Sequence, residues 1–276
     1  MANPAPTAPD PANGEPVLLV ELRGRVMVLT LNRPAARNSV DVALTFALGD
    51  ALEEAETDRD VWAVVVTATG DRSFCAGADL KAVARGEKLI PDDPVRAAWG
   101  FAGYVSHPIS KPTIAAVNGF ALGGGTEIAL ASDLVVASQT ASFGLPEVKR
   151  GLMAAAGGVF RLPTQVPRKV AMEMILTGEP VSAERALALG LVNRVVAQAE
   201  VLDAAVALAE AICVNAPLSV QASKRVALGI VDGRIPDEDD AWRHNEGETR
   251  ALMASSDSKE GPRAFGEKRA PVWEAR

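Results

Sequence analysis

Three short apolar runs constrain the fold more than any other feature of this chain. Trp62–Ala68 (WAVVVTA), Thr113–Val117 (TIAAV) and Leu134–Ala137 (LVVA) are continuous rather than alternating. Continuity suits a strand covered on both faces, as in a parallel sheet. The first two runs lead into glycine-marked loops, and a helix is expected from about Thr126 to Ser132. Strand, loop and helix alternate, which implies an α/β core with parallel strands. In such sheets ligands gather at the loops leaving the carboxyl ends of strands, and both glycine loops hold that position.

The flanking sequence fits around this core. Val17–Leu22 and Val26–Leu31, joined by Arg23-Gly24-Arg25, read as a hairpin. Asp41 is placed to cap a helix running to about Thr57, and a further helix is expected near Val95–Val105, ended by His107-Pro108. From Val166 onward the pattern is mostly helical, with helices over Glu200–Val214, Ala216–Gly229 and Asp237–Ala254. This divides the chain into a Pro/Ala-rich tail (1–16), an α/β core (17–198) and a helical subdomain (199–276). The tail has no apolar stretch, carries Asp10 and Glu15 and lacks arginine, so it reads as disordered rather than as a signal or transit peptide.

At 276 residues the chain is long enough for one large core. A net charge of −7 lacks the basic footprint that nucleic-acid backbones require, so no nucleic-acid partner is expected. The longest apolar stretch, 114–137, is interrupted by Asn118, Glu127 and Asp133, which argues against a membrane span. Cys75 and Cys213 form no disulfide framework, and neither they nor His107 and His244 show metal-ligand spacing. A cytoplasmic protein without a metal is the expectation.

The candidate chemistry lies in two carboxylates that end marked loops, Asn118-Gly-Phe-Ala-Leu-Gly-Gly-Gly-Thr-Glu127 and Phe143-Gly-Leu-Pro-Glu147. Each has an ordinary reading alone. The helix dipole favours a glutamate in a first turn, and Glu147 after Pro146 could be a solvated loop residue. The triple glycine has neither the Gly-Lys-Ser/Thr of a phosphate loop nor the spacing of a dinucleotide site. With the loop Ser73-Phe-Cys-Ala-Gly-Ala-Asp-Leu80 added, the set becomes chemical. Two carboxylates divide acid and base work on one water, and two glycine-flanked segments offer N–H donors to one oxyanion. That set suits chemistry beside a thioester carbonyl.

FCAGADLK (74–81), NGFALGGGTEIALASD (118–133) and FGLPEVKRGL (143–152) resemble the enoyl-CoA hydratase/isomerase, or crotonase, superfamily. So do LNRPAARNS (31–39), LTGEPVSAERALALGLVNRVV (176–196) and EGPRAFGEKRAPVW (260–273). The resemblance runs from about residue 17 to the end. It implies a crotonase-like α/β superhelix of β-β-α units, with a C-terminal helical region that builds trimers and often hexamers. It implies that Ala76 and Gly124 donate the oxyanion-hole N–H groups to an acyl-CoA thioester, and that Glu127 and Glu147 are the catalytic acid/base pair. Isomerases of the family typically keep only the second glutamate, so the presence of both favours water addition. The resemblance puts Ala78, Asp79 and Leu80 at the adenine pocket, Arg37 beside the CoA, and Phe265 and Lys268 on a tail that approaches CoA.

The sequence departs from the pattern at one place. Many short-chain hydratases carry Pro-Gly-Ala-Gly-Gly after the second glutamate, and here the segment is Ala154-Ala-Ala-Gly-Gly158. The Ala155 methyl narrows the acyl pocket, which opens the way to a branched, polar or unusual acyl group. The expected activity is an enoyl-CoA hydratase, with no metal or redox cofactor needed and CoA as part of the substrate. The alternatives are a Δ3-Δ2-enoyl-CoA isomerase or a dehydratase of a specialised acyl-CoA. A serine hydrolase is disfavoured because no Gly-x-Ser-x-Gly elbow is present. An RNA-binding, non-catalytic relative is disfavoured by the acidic charge and by the retained glutamates. The expected assembly is a homotrimer or a dimer of trimers.

Overall fold

The computed structural model describes Pro9 and residues 14–276, so most of the tail expected over 1–16 lies outside the described residues. The chain opens with the hairpin β1 (Leu18–Arg23) and β2 (Val26–Leu31), antiparallel as expected. Helix α1 (Val42–Thr57) follows, and its first turn is capped by Asp41, whose side chain accepts from the Leu44 N–H at 2.9 Å. Such a cap stabilises a helix by about 1 kcal/mol.

Three strand pairs then repeat: β3 (Ala63–Ala68) with β4 (Ser73–Cys75), β5 (Thr113–Val117) with β6 (Phe120–Leu122), and β7 (Leu134–Ser138) with β8 (Ser142–Gly144). The short strands β9 (Val181–Ser182) and β10 (Arg194–Val196) complete two sheets. The larger sheet has the order β1-β2-β3-β5-β7-β10 and the smaller β4-β6-β8-β9. The first strand of each pair joins the larger sheet and the second joins the smaller. Each unit therefore advances one strand along both sheets, giving a stacked superhelix of β-β-α units, as the resemblance implies. From β2 to β10 the neighbours in the larger sheet are parallel.

The continuous apolar runs have a direct cause. In β3, Val64 and Val66 face the main core with Leu48, Phe74 and Phe143, while Ala63 and Val65 face a second core. Helix α8 (Val201–Cys213) covers that second face through Val201, Ala205 and Ala209. Buried on both faces, β3 has no side free for polar residues.

The helix expected over Val95–Val105 is shorter. After α2 (Leu80–Ala84), α3 (Pro94–Ala98) stops before Gly100, and Ala102 adopts a positive φ of 61° within a short 3-10 turn over Phe101–Gly103. The break lets the chain press onto α1, where a Cβ on Gly103 would lie 2.4 Å from the Thr45 carbonyl oxygen. Helix α4 (Gly124–Ala131) begins two residues ahead of the expected Thr126, so the glycine loop itself forms the helix start.

The remaining helices are α5 (Gly158–Gln165), α6 (Arg168–Thr177), α7 (Ala183–Leu189), α9 (Pro217–Leu228), α10 (Asp239–Met253) and α11 (Asp257–Gly266). Helix α9 is tied to the core by Lys224, whose Nζ lies 2.7 Å from Asp133 Oδ2 and donates to the Lys111 carbonyl. Its outer face leaves Leu218 and Val226 exposed. Helix α11 packs behind the turn at 146–150, with Arg150 stacked 4.1 Å from the Phe265 ring centroid. Among the described residues no single helix is long and apolar enough to cross a membrane.

Candidate active site

The carboxyl ends of the stacked units open on a cavity of about 1230 Å³, lined by Ala78, Gly124, Glu127, Glu147 and Ala155 among others. Gly124 and Glu127 share α4, while Ala78, Glu147 and Ala155 come from three other segments, which is why the set cannot be read from any single segment.

Gly124 starts α4, so its N–H is one of the orphan donors of a helix N-terminus and sits at the positive end of the dipole. The triple glycine is required by close approach. A Cβ on Gly124 would fall 2.3 Å from Phe101 Cε1 and 3.2 Å from Gly77 Cα. A Cβ on Gly123, which has a φ of +57°, would fall 2.5 Å from Glu147 Oε1. The loop is bare so that a neighbouring backbone and a carboxylate can reach it.

The other donor differs from the sequence expectation. The N–H of Ala76 is engaged with the Arg37 carbonyl at 3.2 Å, and the residue is exposed outside the cavity. Ala78 lines the cavity instead. Ala78 forms a bridge with Val40, in which Val40 N–H bonds Gly77 O and Asp79 N–H bonds Val40 O. That pattern turns the N–H of Ala78 itself away from Val40. Among the described residues neither the Ala78 nor the Gly124 N–H has an acceptor. The FCAGAD motif carries two alanines; the expectation gives the donor to Ala76 and the adenine pocket to Ala78, and the Arg37 and Val40 pairings exchange the first of these roles.

Glu127 lies on α4, 3% exposed, and its Oε1 accepts from the Gly158 N–H at 2.9 Å. Gly158 opens α5, so a second helix N-terminus points at this carboxylate. Burial raises the Glu127 carboxyl to about 8, helped by the nearby charge of Glu147 and opposed by the N–H groups of Gly158 and Ala156 and by Arg161. Burial likewise raises Glu147 to about 7. Glu147 Oε2 is buried without a hydrogen-bond partner among the described residues. Two like charges buried on one cavity cannot both ionise freely, so the pair favours sharing one proton.

Other sequence candidates fall elsewhere. Asp79 is buried as the cap of α2, accepting from the N–H groups of Lys81 and Ala82, and it pairs with Arg33 at 3.0 Å. Its carboxyl is accordingly held below the usual range by the Ala82 N–H and by Arg33, against its burial. Arg37, Leu80, Phe265 and Lys268 are exposed and outside the cavity. Ala155 does line the cavity, and its N–H is engaged with Met153 O at 2.8 Å.

Sequence reasoning missed the cover. Helix α10 places Trp242, Asn245, Glu246 and Thr249 on the cavity, at the spacing of one helix face. Arg161 of α5 locks this cover down, with Nε 2.9 Å and Nη2 2.6 Å from the two carboxylate oxygens of Glu238, and with its guanidinium 5.4 Å from the Trp242 ring centroid. The opposite wall holds Trp99, stacked on His107 at 4.6 Å, and Glu53, 2.7 Å from His107 Nε2. Among the described residues no group of His, Cys, Asp or Glu is arranged to hold a metal ion.

Residues 21–276 match the model of the enoyl-CoA hydratase/isomerase family. A carnitinyl-CoA dehydratase of Salmonella typhi is 42% identical over 257 residues, covering 92% of this chain and 96% of its own. The crystal structure of a carnitinyl-CoA hydratase from Mycobacterium avium is 62% identical with a TM-score of 0.92, covering 94% of this chain and 99% of its own. An enoyl-CoA hydratase from Mycobacterium tuberculosis H37Rv is 43% identical with a TM-score of 0.73, covering 95% and 100% of the two chains.

Proposed function

The chain belongs to the enoyl-CoA hydratase/isomerase family, and from that premise we propose a hydro-lyase that adds water across the 2,3-double bond of an acyl-CoA thioester and catalyses the reverse elimination. The observation that carries this reading is one cavity holding two raised carboxyls beside two unengaged backbone N–H groups.

The N–H groups of Ala78 and Gly124 take the thioester oxygen. They draw electron density from the double bond, so C3 becomes electrophilic, and they hold the enolate oxygen as it forms. One such donor is worth about 3 kcal/mol in the transition state. Water lies between the carboxyls. Glu127 accepts its proton as oxygen bonds to C3, and Glu147 gives its proton to C2. A pair that shares one proton supplies both an acid and a base in the same cycle. Elimination reverses each step: Glu147 takes the C2 proton and Glu127 protonates the departing hydroxyl.

The acyl group follows from the walls. Trp99 and Trp242 line the cavity together with Glu53 and Glu246, and acidic side chains outnumber Arg161, Arg234 and Arg250 on its walls. Such a surface suits a cationic acyl chain, since a quaternary ammonium group is held by aromatic faces. The carnitinyl-CoA enzymes among the relatives point the same way. We therefore place dehydration of a cationic 3-hydroxyacyl-CoA ahead of turnover of plain fatty-acyl chains.

An absorbance assay of the enoyl thioester tests both levels. Crotonyl-CoA and its 4-trimethylammonio derivative are compared, and the cationic ester is expected to have at least a tenfold higher kcat/KM, about the worth of one partly desolvated cation–π contact. Equal kcat/KM would remove the cationic reading alone. No change in absorbance with any enoyl-CoA would remove the hydro-lyase reading. The assembly proposed is a homotrimer or a dimer of trimers, supported by the exposed apolar residues of α9.

A further inference from the structure

One wall of the cavity runs from Gly124 to a carboxylate that takes no part in the proton transfers. The Phe101 ring rests on Gly124, where a Cβ would lie 2.3 Å from Phe101 Cε1. Trp99, two residues earlier, rests on Gly49 of α1, where a Cβ would lie 2.5 Å from Trp99 Cε3. Glu53 follows Gly49 by one turn of that helix and so shares its face. Phe101, Trp99, His107 and Glu53 all line the cavity.

Glu53 is held there by a buried ring. His107 Nε2 lies 2.7 Å from Glu53 Oε1, and His107 Nδ1 lies 3.1 Å from the Gly103 carbonyl oxygen. Both ring nitrogens therefore face acceptors. A neutral imidazole has one N–H and satisfies only one of them, whereas the imidazolium satisfies both. The pair is a carboxylate against an imidazolium, and its two poles meet the cavity unequally. The His107 side chain is 6% exposed and that of Glu53 is 51% exposed, so the negative pole is the accessible one. Other glutamates on the walls are less suited. Arg161 takes both oxygens of Glu238, and Glu56 Oε2 accepts from the Ser110 N–H at 2.9 Å. Glu246 is exposed on α10 with no hydrogen bond or ion pair to fix it among the described residues. Glu53 is oriented by His107 through Oε1, while its Oε2 has no partner among the described residues. A charge fixed in advance lowers the ordering cost of binding.

We propose that Glu53 selects charge at the acyl end of the substrate: its carboxylate receives an ammonium group beside Trp99. This rests on the cationic reading above and names the residue that carries it. A quaternary ammonium group has no N–H to donate, so a fixed negative charge next to an aromatic ring is the partner open to it.

Saturated esters cannot be hydrated, so calorimetry with butyryl-CoA and its 4-trimethylammonio derivative reads the pocket without turnover. Glu53→Gln keeps the shape and removes the charge, and Glu53→Lys reverses it. Both replace a half-exposed side chain, which protects folding. In Glu53→Gln the Kd of the cationic ester should rise about fivefold relative to that of butyryl-CoA, near the upper worth of a solvent-accessible charge pair. Glu53→Lys should bind the 4-carboxy derivative of butyryl-CoA more tightly than the wild type does. A distorted pocket would instead weaken all three esters together. A wild type with no preference for the cationic ester removes the cationic reading and this proposal with it. A wild-type preference that persists within twofold in both folded variants overturns the proposal and leaves the cationic reading standing.

Discussion

Glu127 and Glu147 are expected to titrate as one unit. Replacing either by Gln should lower kcat at least about a hundredfold, with CoA-ester affinity little changed. Hydration near the wild-type rate in either variant would end the two-carboxylate mechanism. Surviving isomerisation of a 3-enoyl-CoA by Glu127→Gln would support separate roles. The same burial has a thermodynamic signature. Both carboxyls are raised in the folded state, to about 8 and about 7, so folding takes up protons. Their contribution to stability is fully present below the ordinary carboxylate range and is lost as pH rises through the raised values. The wild-type Tm should therefore fall from pH 6 to pH 9 more steeply than that of Glu127→Gln, which carries no charge there. Parallel Tm curves for the two proteins would show that Glu127 does not titrate in this window.

At the level of loops and helices, the start of α4 and the cover α10 carry separate loads. Gly124→Pro removes an N–H at the helix start and should lower kcat by about a hundredfold or more. Circular dichroism must show the fold intact, and unchanged kcat in folded protein would refute the donor assignment. Glu238→Ala leaves the Arg161 guanidinium buried without its carboxylate, in side-chain surroundings only 9% exposed. A loss of about 3 kcal/mol is expected in denaturant unfolding, and a change under 1 kcal/mol would mean that the pair does not hold α10 down. The sequence made some of these elements plain and hid others. Strands β3, β5 and β7 were legible because two-sided burial leaves a continuous apolar signature. The glycine loops were legible because close approach excludes every side chain. The break at Ala102 was not, since a lone alanine with positive φ leaves no compositional mark. Asn245 and Trp242 were hidden too: the cavity face of α10 has the same spacing as any amphipathic helix, and only packing tells which face meets the site.

For the whole molecule, assembly is the open test. Leu218 and Val226 on α9 are 76% and 84% exposed, an arrangement that a second subunit would relieve. Sedimentation equilibrium is expected to show a trimer or hexamer, and a fully active monomer at micromolar concentration would contradict it. Truncation before Glu260 removes most of α11 and the Phe265 ring that packs on Arg150, three residues past Glu147. The truncated enzyme should bind CoA esters more weakly, and normal binding would remove the tail from the site. The position of the cover also has a consequence in time. A ribosome adding about 5–20 residues per second releases both glycine loops and both glutamates well before α10. A nascent chain can therefore fold its two sheets around an unroofed groove, and it becomes an enzyme only when its last segment lands.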